Sequence, residues 1–219
     1  MSRYRNPIFA VPTFQSSVSD NNKIKELLFP IINEHRKSGI TEPPHGWFTD
    51  KLITSFKDDE FNNKLISDDD IGTEIKKQYF DVLKTFFDTS FECQIADIWY
   101  NCYQDKEYQE PHTHFGSYNS PNHFACVHFL SYNPKIHSPL TFCDPLRLVR
   151  LGTLESVGFG GYDENIDVNV REGDLVMFPS YLEHEVRPAP PTPEYPRITI
   201  SFNIKIHRFG DDVEENESS

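Results

Sequence analysis

The chain has 219 residues, of which 37% are hydrophobic and 14% aromatic, and its formal net charge is −13. This length is enough for one domain with a sizeable core, or for one domain with a small appended subdomain. The acidic balance argues against wrapping a nucleic-acid backbone, and the chain has no run of about 18 apolar residues that could span a membrane.

Residues 1–93 are expected to form a support region of one strand and two helices. Residues 7–14 are apolar but contain prolines, which predicts a short strand at a sheet edge. Apolar residues recur every three or four positions over about 22–37 and again over about 71–90, and this spacing is typical of helices that bury one face. We expect Pro30 to kink the first helix or to split it in two.

From residue 94 the apolar period changes to two, which predicts strands. They are expected at 94–103, 110–116, 123–132, 139–143, 166–171, 174–178, 182–187 and 197–206. Residues 39–70 are polar and predict loops, and residues 209–219 predict an acidic disordered tail. Two helices followed by about eight strands indicate a mainly β (α+β) fold. We expect a double-stranded β-helix, a cupin-like jelly roll, over 94–208, with the amino-terminal helices packed on one sheet.

The cysteines indicate a reducing compartment. They stand at positions 93, 102, 126 and 143, within or directly beside predicted strands, and no two of them form a C-x-x-C pair. Reduced, half-buried thiols are the preferred interpretation. Met1 is not followed by the long apolar segment of a signal peptide, so we expect a cytoplasmic protein.

Three histidines are candidate metal ligands. His112 and His114 form an H-x-H pair on a predicted extended segment, where alternate side chains point to one face. Two hydrogen-bonded histidines near a turn are the alternative. The segment 173–179 combines a turn, an apolar strand and a proline break, and it would return His184 toward the pair, although a core histidine would also fit there. Imidazole suits iron, zinc, copper and nickel alike.

Arg197 is a candidate anion-binding residue. Strand alternation places it on one face with Thr199, Ser201 and Asn203. A buried guanidinium needs a partner, and a bidentate carboxylate is the natural one. The alternative is a structural salt bridge to one of the acidic residues of the chain. Arg187 competes for the same role, but it is expected to face the opposite side of its strand.

These segments together resemble the Fe(II)- and 2-oxoglutarate-dependent oxygenases, in particular a small family of marine bacteria and phages that has H-x-H in place of H-x-D. Besides the H-x-H pair, the resemblance is carried by a D-P-R-like segment at 142–147, by the G-D-L-x-x-F-P-S-x-x-x-H segment at 173–184 and by the R-x-x-x-S-F-N segment at 197–203. It covers about residues 95–206.

The resemblance implies an oxygenase, specifically a hydroxylase, that uses Fe(II), 2-oxoglutarate and O2 on an unknown small molecule or protein side chain. His112, His114 and His184 would bind the metal, with His114 at the position where a carboxylate is usual. Arg197 would bind the distal carboxylate of 2-oxoglutarate. Its implied companions in the cosubstrate site are Tyr103, Thr199, Ser201 and Asn203.

The three-histidine set leaves alternatives open. It gives the iron one more positive charge than a set with one carboxylate, and the dianion 2-oxoglutarate could restore neutrality. Glu110 or Asp144 could instead supply a carboxylate. A cupin-type three-histidine enzyme that uses no 2-oxoglutarate is the first alternative function, and a non-catalytic jelly-roll binding protein is the second. A homodimer could form through an exposed sheet edge.

Overall fold

The computed structural model describes residues 11–38, 43–45, 47–49, 51–86, 91–147, 152 and 165–208. The amino-terminal elements are β1 (Phe14–Ser17), α1 (Asn21–Ser38), β2 (Ile53–Thr54), α2 (Asp59–Leu65) and α3 (Asp70–Leu83). They are followed by β3 (Phe91–Tyr103), β4 (Gln109–His112), β5 (Gly116–Ser117), β6 (Ser120–Pro121), β7 (Phe124–Ser131), β8 (Thr141–Cys143), β9 (Asn165–Asp167), β10 (Asp174–Pro179), β11 (His184–Val186) and β12 (Arg197–Arg208).

Two antiparallel sheets form the barrel. The larger sheet has the strand order β1-β10-β7-β12-β3-β2, and the smaller sheet has the order β4-β11-β8-β9. A hydrophobic cluster with Val127 of β7, Phe142 of β8 and Phe178 of β10 joins the two sheets. The predicted mainly β jelly-roll architecture is confirmed.

The helices α1 and α3 pack on one face of the larger sheet, as predicted. The buried positions of α1 are Ile24, Leu28 and Ile32, which recur every four residues and therefore share one side of the helix. Together with Ile75 and Tyr79 of α3, they belong to one cluster with side chains of β3, β7 and β12. Burying each such aliphatic side chain stabilises the fold by about 1.5–3 kcal/mol.

The strand β12 separates an apolar face from a polar one. The apolar set is Ile198, Ile200, Phe202 and Ile204, which pack in the helix-side cluster. Arg197, Thr199 and Ser201 alternate with these residues and line a cavity instead. This alternation agrees with the prediction, and it positions the polar side chains discussed below.

Two amino-terminal predictions are wrong in detail. The edge strand is β1, at Phe14–Ser17, whereas residues 11–13 form no strand and residues 7–10 lie outside the described residues. The helix α1 continues through Pro30 and is not split in two there. Pro30 is on the exposed side, so the carbonyl of Glu26, which loses its helical partner to the proline, faces solvent rather than the core.

The second predicted helix and the predicted loop region also differ from the structure. The helix α3 ends at Leu83 instead of reaching residue 90, and residues 87–90 lie outside the described part. The region 39–70 contains β2 and the seven-residue helix α2. This helix was too short for its period to be recognised, but its N-cap was a usable signal, because the Asp58 carboxylate accepts from the Phe61 N–H at 3.0 Å.

All eight predicted strands overlap observed ones, with one consequential difference. The strand β4 ends at His112, so His114 lies beyond it rather than on it. The chain then turns at Gly116, whose φ of +78° suits glycine, into the unpredicted β5–β6 hairpin. The boundary between residues 93 and 94 stays a prediction, and the predicted tail at 209–219 lies outside the described residues.

The four cysteines are free thiols, three of them buried and Cys93 half-buried. Burial raises the pKa of Cys102 to about 12, so this thiol stays protonated and unreactive. Within the described part of the chain, no helix is both long enough and apolar enough to cross a membrane.

His128 of β7 is expected to make the fold sensitive to acid. It is fully buried and shares a 2.9 Å hydrogen bond with the Tyr79 hydroxyl, and burial lowers the pKa of His128 to about 3. Below a pH of about 6.5 the unfolded chain therefore binds more protons than the folded one, and stability falls as the pH falls. Between about pH 7 and pH 5 this residue should cost about 2 kcal/mol of unfolding free energy.

Urea unfolding at several pH values measures this cost. His128→Asn keeps a hydrogen-bonding group near Tyr79 but does not titrate, so its unfolding free energy should fall less steeply with acid than that of the wild type. Equal slopes in the two proteins would contradict the prediction.

Candidate metal centre

Three histidine side chains converge beside the smaller sheet. His112 ends β4 and His184 begins β11, and the two residues are direct partners in the antiparallel ladder. His114 follows the end of β4, and its backbone N–H donates to the Ser180 carbonyl at 2.8 Å. One ring nitrogen from each histidine lies within 4.8 Å of the others, and the Nε2 atoms of His112 and His114 are 3.2 Å apart.

The 3.2 Å separation of the His112 and His114 nitrogens fits one shared metal ion. Two nitrogens that each bind an ion at about 2.1 Å, at about a right angle, stand about 3.0 Å apart. The predicted ligands His112, His114 and His184 are therefore brought together as one site. Within the described residues they are the group of histidine, cysteine and acidic side chains that could hold a metal.

Backbone carbonyls orient two of the rings. Nδ1 of His112 donates to the Glu110 carbonyl at 2.7 Å, and Nδ1 of His184 donates to the Leu182 carbonyl at 3.1 Å. Because a carbonyl oxygen only accepts, each Nδ1 carries the proton. Each Nε2 is thus left as a free lone pair for a metal.

A side chain orients the third ring. Nδ1 of His114 donates to Oδ1 of Asn203 at 2.8 Å, and Nδ2 of Asn203 donates to the Asp97 carboxylate at 3.3 Å. Because the carboxylate of Asp97 accepts a hydrogen bond from the amide nitrogen of Asn203, the amide oxygen must be the atom that faces His114. Outer partners of this kind fix the tautomer and orientation of metal-binding imidazoles.

All three imidazoles are held in the neutral form. Burial is the main cause in each case: it lowers the pKa of His112, lowers that of His114 to about 3, and lowers that of His184 well below its ordinary value. Neighbouring imidazoles lower the pKa of His114 and His184 further. Neutral imidazole is the metal-binding form, so near neutral pH the site needs no proton loss before it binds a metal.

Arg197, at the start of β12, is a buried cation that has no counter-ion within the described part of the chain. It is 3% exposed, and its Nε and Nη1 have no hydrogen-bond partner among the described residues. Its guanidinium carbon lies 4.7 Å from the ring centroid of Tyr103 and 5.4 Å from that of Phe129. Burial lowers the pKa of Arg197, and Tyr103 and Tyr132 oppose this shift. Such a group strongly favours an anionic partner.

One inner cavity contacts both Arg197 and the three histidines. Tyr103, Thr199 and Ser201, which were predicted to contact a cosubstrate, line the same cavity. Asn203, predicted for the same role, lines a different cavity and contacts His114. The inner cavity therefore places a metal-binding group and an unpaired cation on one space, whose volume of about 10 Å³ is that of roughly one water.

The two alternative carboxylates stand apart from the three histidines, and Oε2 of Glu110 is buried without a hydrogen-bond partner among the described residues. Oε1 of Glu110 accepts from the Phe48 N–H at 3.2 Å, and Oδ1 of Asp144 accepts from the Leu146 N–H at 2.9 Å. Neither carboxylate belongs to the three-histidine group. Arg187 is exposed and pairs with acidic side chains at the surface.

A larger cavity, here called the outer cleft, adjoins the metal centre, and no sequence pattern predicts it. Its volume is about 480 Å³. It is lined by Trp47, Phe56, Asp59, Asn62, Asp97, Trp99, Thr113, Asn122 and Asn203, besides His112 and His114. The cleft could not be found without α2, which supplies part of its wall.

Replacing Asn203 with alanine should weaken metal binding by about 10–100-fold, the usual cost of losing an outer partner of a metal ligand. His114 would lose the acceptor that holds its Nε2 toward the other rings. Asn203→Asp retains an acceptor and should keep most of the affinity.

Competition between the protein and a chelator for Co(II) measures this effect. Asn22→Ala, an exposed change on α1, is the matched control. If Asn203→Ala binds Co(II) as tightly as the wild type, the amide has no orienting role.

Comparison with known proteins identifies related sequences and folds. Residues 97–203 match the family model described as "Putative 2OG-Fe(II) oxygenase". This segment contains the three histidines and Arg197. Among curated proteins, no sequence matches the chain.

Solved structures share the fold at low identity. A prolyl-4-hydroxylase of Pseudomonas putida is 14% identical, with a TM-score of 0.52 over 89% of this chain and 92% of that one. HygX of Streptomyces hygroscopicus, with nickel and 2-oxoglutarate bound, is 11% identical, with a TM-score of 0.53 over 89% and 82%. SnoK, a non-heme alpha-ketoglutarate-dependent carbocyclase from nogalamycin biosynthesis, is 8% identical, with a TM-score of 0.60 over 89% and 79%. At these identities the likeness shows the fold.

Proposed function

We propose that this chain, which its family match and fold indicate to be a 2-oxoglutarate–Fe(II) oxygenase, hydroxylates a C–H bond of a substrate in the outer cleft. Enzymes of this class are oxidoreductases whose cofactors are Fe(II), 2-oxoglutarate and O2. The observation that carries the proposal is Arg197, a buried guanidinium with two unpartnered nitrogens on the same cavity as the three histidines.

One set of residues would bind the metal, and another residue would bind the cosubstrate. His112, His114 and His184 would hold Fe(II) through their Nε2 atoms. Arg197 would pair with the distal carboxylate of 2-oxoglutarate through charge-assisted hydrogen bonds. When bound, the metal and cosubstrate supply the oxidative chemistry with O2, and the protein supplies orientation and a dry cavity.

Charge supports a dianionic cosubstrate. Three neutral imidazoles add no negative charge to Fe(II), and Arg197 places a further positive charge on the same cavity. A dicarboxylate such as 2-oxoglutarate would offset both. In a buried site this electrostatic gain is larger than in water.

The test is binding and turnover of 2-oxoglutarate without added substrate. Protein supplied with Fe(II) and O2 is expected to release CO2 and succinate slowly from 2-oxoglutarate. Metal binding without 2-oxoglutarate binding would instead favour the three-histidine enzyme that uses another chemistry. Failure to bind any divalent metal would favour a non-catalytic jelly roll.

A cytoplasmic location and a homodimer remain predictions. The edge strands are β1 and β2 in the larger sheet and β4 and β9 in the smaller one, and an exposed edge can pair with a second copy. Light scattering over a range of protein concentrations tests the homodimer.

A further inference from the structure

We propose that the substrate carries a positive charge, an ammonium or guanidinium on an aliphatic chain, which the outer cleft binds while a nearby carbon faces the metal centre. This inference rests on the proposed function, because it assigns a substrate class to the same site. It is carried by the position of the cleft, by its charge and by its aromatic wall.

The outer cleft and the inner cavity of Arg197 are separate spaces, and both adjoin the metal centre. His112 and His114 line both spaces, whereas Arg197 lines the inner one and not the outer cleft. A cosubstrate held by Arg197 and a substrate in the cleft can therefore approach the same metal together. Asp97 lies in the part of the cleft next to the metal centre, because two hydrogen bonds through Asn203 connect it to His114.

The charged side chains of the cleft wall are carboxylates. Among the described residues that line it, Asp59 and Asp97 are acidic, and no lysine or arginine is present. Both carboxylates are exposed, and neither forms an ion pair with the described residues. Lys205 follows Asn203 on the same face of β12, but its ammonium donates to the Ser120 hydroxyl and it does not line the cleft. An anionic substrate would be repelled here.

An aromatic wall complements these carboxylates. The ring centroids of Trp47 and Phe56 are 5.2 Å apart, and those of Phe56 and Trp99 are 5.0 Å apart. The Trp99 ring in turn lies 5.4 Å from the His114 ring. Aromatic faces attract cations and also pack against the methylene groups that carry them. A charged end group on an aliphatic stem therefore fits this wall better than a neutral polar molecule.

Three probes of similar length separate charge from shape: the Nα-acetyl amides of lysine, norleucine and glutamic acid. Each is titrated into the protein with 2-oxoglutarate and with Mn(II) in place of Fe(II), and the relaxation of the probe protons by Mn(II) reports binding near the metal. The lysine derivative should bind about tenfold more tightly than the norleucine derivative. Equal binding, or preference for the glutamic acid derivative, would overturn the inference.

Matched variants assign the preference to the two carboxylates. Asp97→Asn retains an acceptor for the Asn203 amide. Asp97→Asn and Asp59→Asn should each weaken binding of the lysine probe by up to about fivefold. Asp81→Asn, exposed on α3, is the control. If Asp97→Asn fails to fold, Asp59→Asn at the exposed start of α2 still decides, since unchanged charge preference there would refute a role for the cleft carboxylates.

Two further arms separate the source of the cation and the cause of a failure. The free amides of lysine and arginine and short peptides with a central lysine or arginine are compared for stimulation of succinate formation by the Fe(II) protein. The better stimulator identifies a small molecule or a polypeptide as the source, and stimulation by none of them would refute the inference. If the wild type does not bind 2-oxoglutarate, the proposed function is refuted. If it binds 2-oxoglutarate but shows no preference for the positively charged probe, only this inference is refuted.

Discussion

His184→Ala is expected to lose high-affinity Fe(II) binding while the chain still folds. His184 is the ligand that β11 aligns with His112, and its removal leaves two nitrogens to hold the ion. The loss of affinity should exceed the roughly 10–100-fold cost of losing an outer partner. Anaerobic competition for Fe(II) against a chelator measures the affinity, and circular dichroism checks the fold. His45→Ala, an exposed histidine outside the group, should bind Fe(II) as the wild type does.

His114→Asp asks whether the site is built for imidazole. It restores the more common ligand set, so it should bind Fe(II) more tightly than His114→Ala. The aspartate is shorter than imidazole and would also face the amide oxygen of Asn203, which His114 now contacts at 2.8 Å. Affinity as low as that of His114→Ala would show that this site requires a third imidazole.

Local patterns predicted the parts of this site that local physics determines. The alternation of β12 follows from strand geometry, which turns every second side chain to the same face. It therefore placed Arg197 with Thr199 and Ser201, and these residues line one cavity in the structure. The helix faces of α1 and α3 were predictable for the same reason, since apolar residues at three- and four-residue steps share one side.

Contacts between distant segments could not be predicted in this way. Asn203 and His114 are 89 residues apart, and neither the spacing nor the composition of the chain indicates that the amide would orient the ring. The sequence instead suggested a cosubstrate role for Asn203. Likewise, the H-x-H pair was expected on a strand, but β4 ends at His112, and a backbone bond to Ser180 holds His114 in place.

The outer cleft shows the same limit. Its walls come from the Trp47 loop, from α2, from β3 and from the segment after β4. A seven-residue helix is too short to reveal a period, so the element that forms one wall was expected to be loop. The sequence therefore predicted the metal ligands but not the residues that would contact a substrate.

Arg197→Met is expected to change stability and cosubstrate binding in opposite directions. In the ligand-free protein, Arg197 is a buried charge with two unpartnered nitrogens, so methionine, which is shorter but uncharged and flexible, should stabilise the fold by about 1–4 kcal/mol. The same change removes the proposed partner of the distal carboxylate of 2-oxoglutarate. Breaking a buried charge-assisted pair costs about 2–5 kcal/mol, which is at least about thirtyfold in affinity.

Thermal unfolding with and without 2-oxoglutarate, in the presence of Mn(II), measures both effects. The wild type should gain stability on adding the ligand, as expected for a ligand that binds the folded state. Arg197→Met should start higher and gain little, and Arg197→Lys should fall between them, because lysine keeps the charge but not the planar fork. Arg187→Met, at an exposed arginine, should follow the wild type. If Arg197→Met binds 2-oxoglutarate normally, the buried guanidinium serves another anion and the cosubstrate assignment fails.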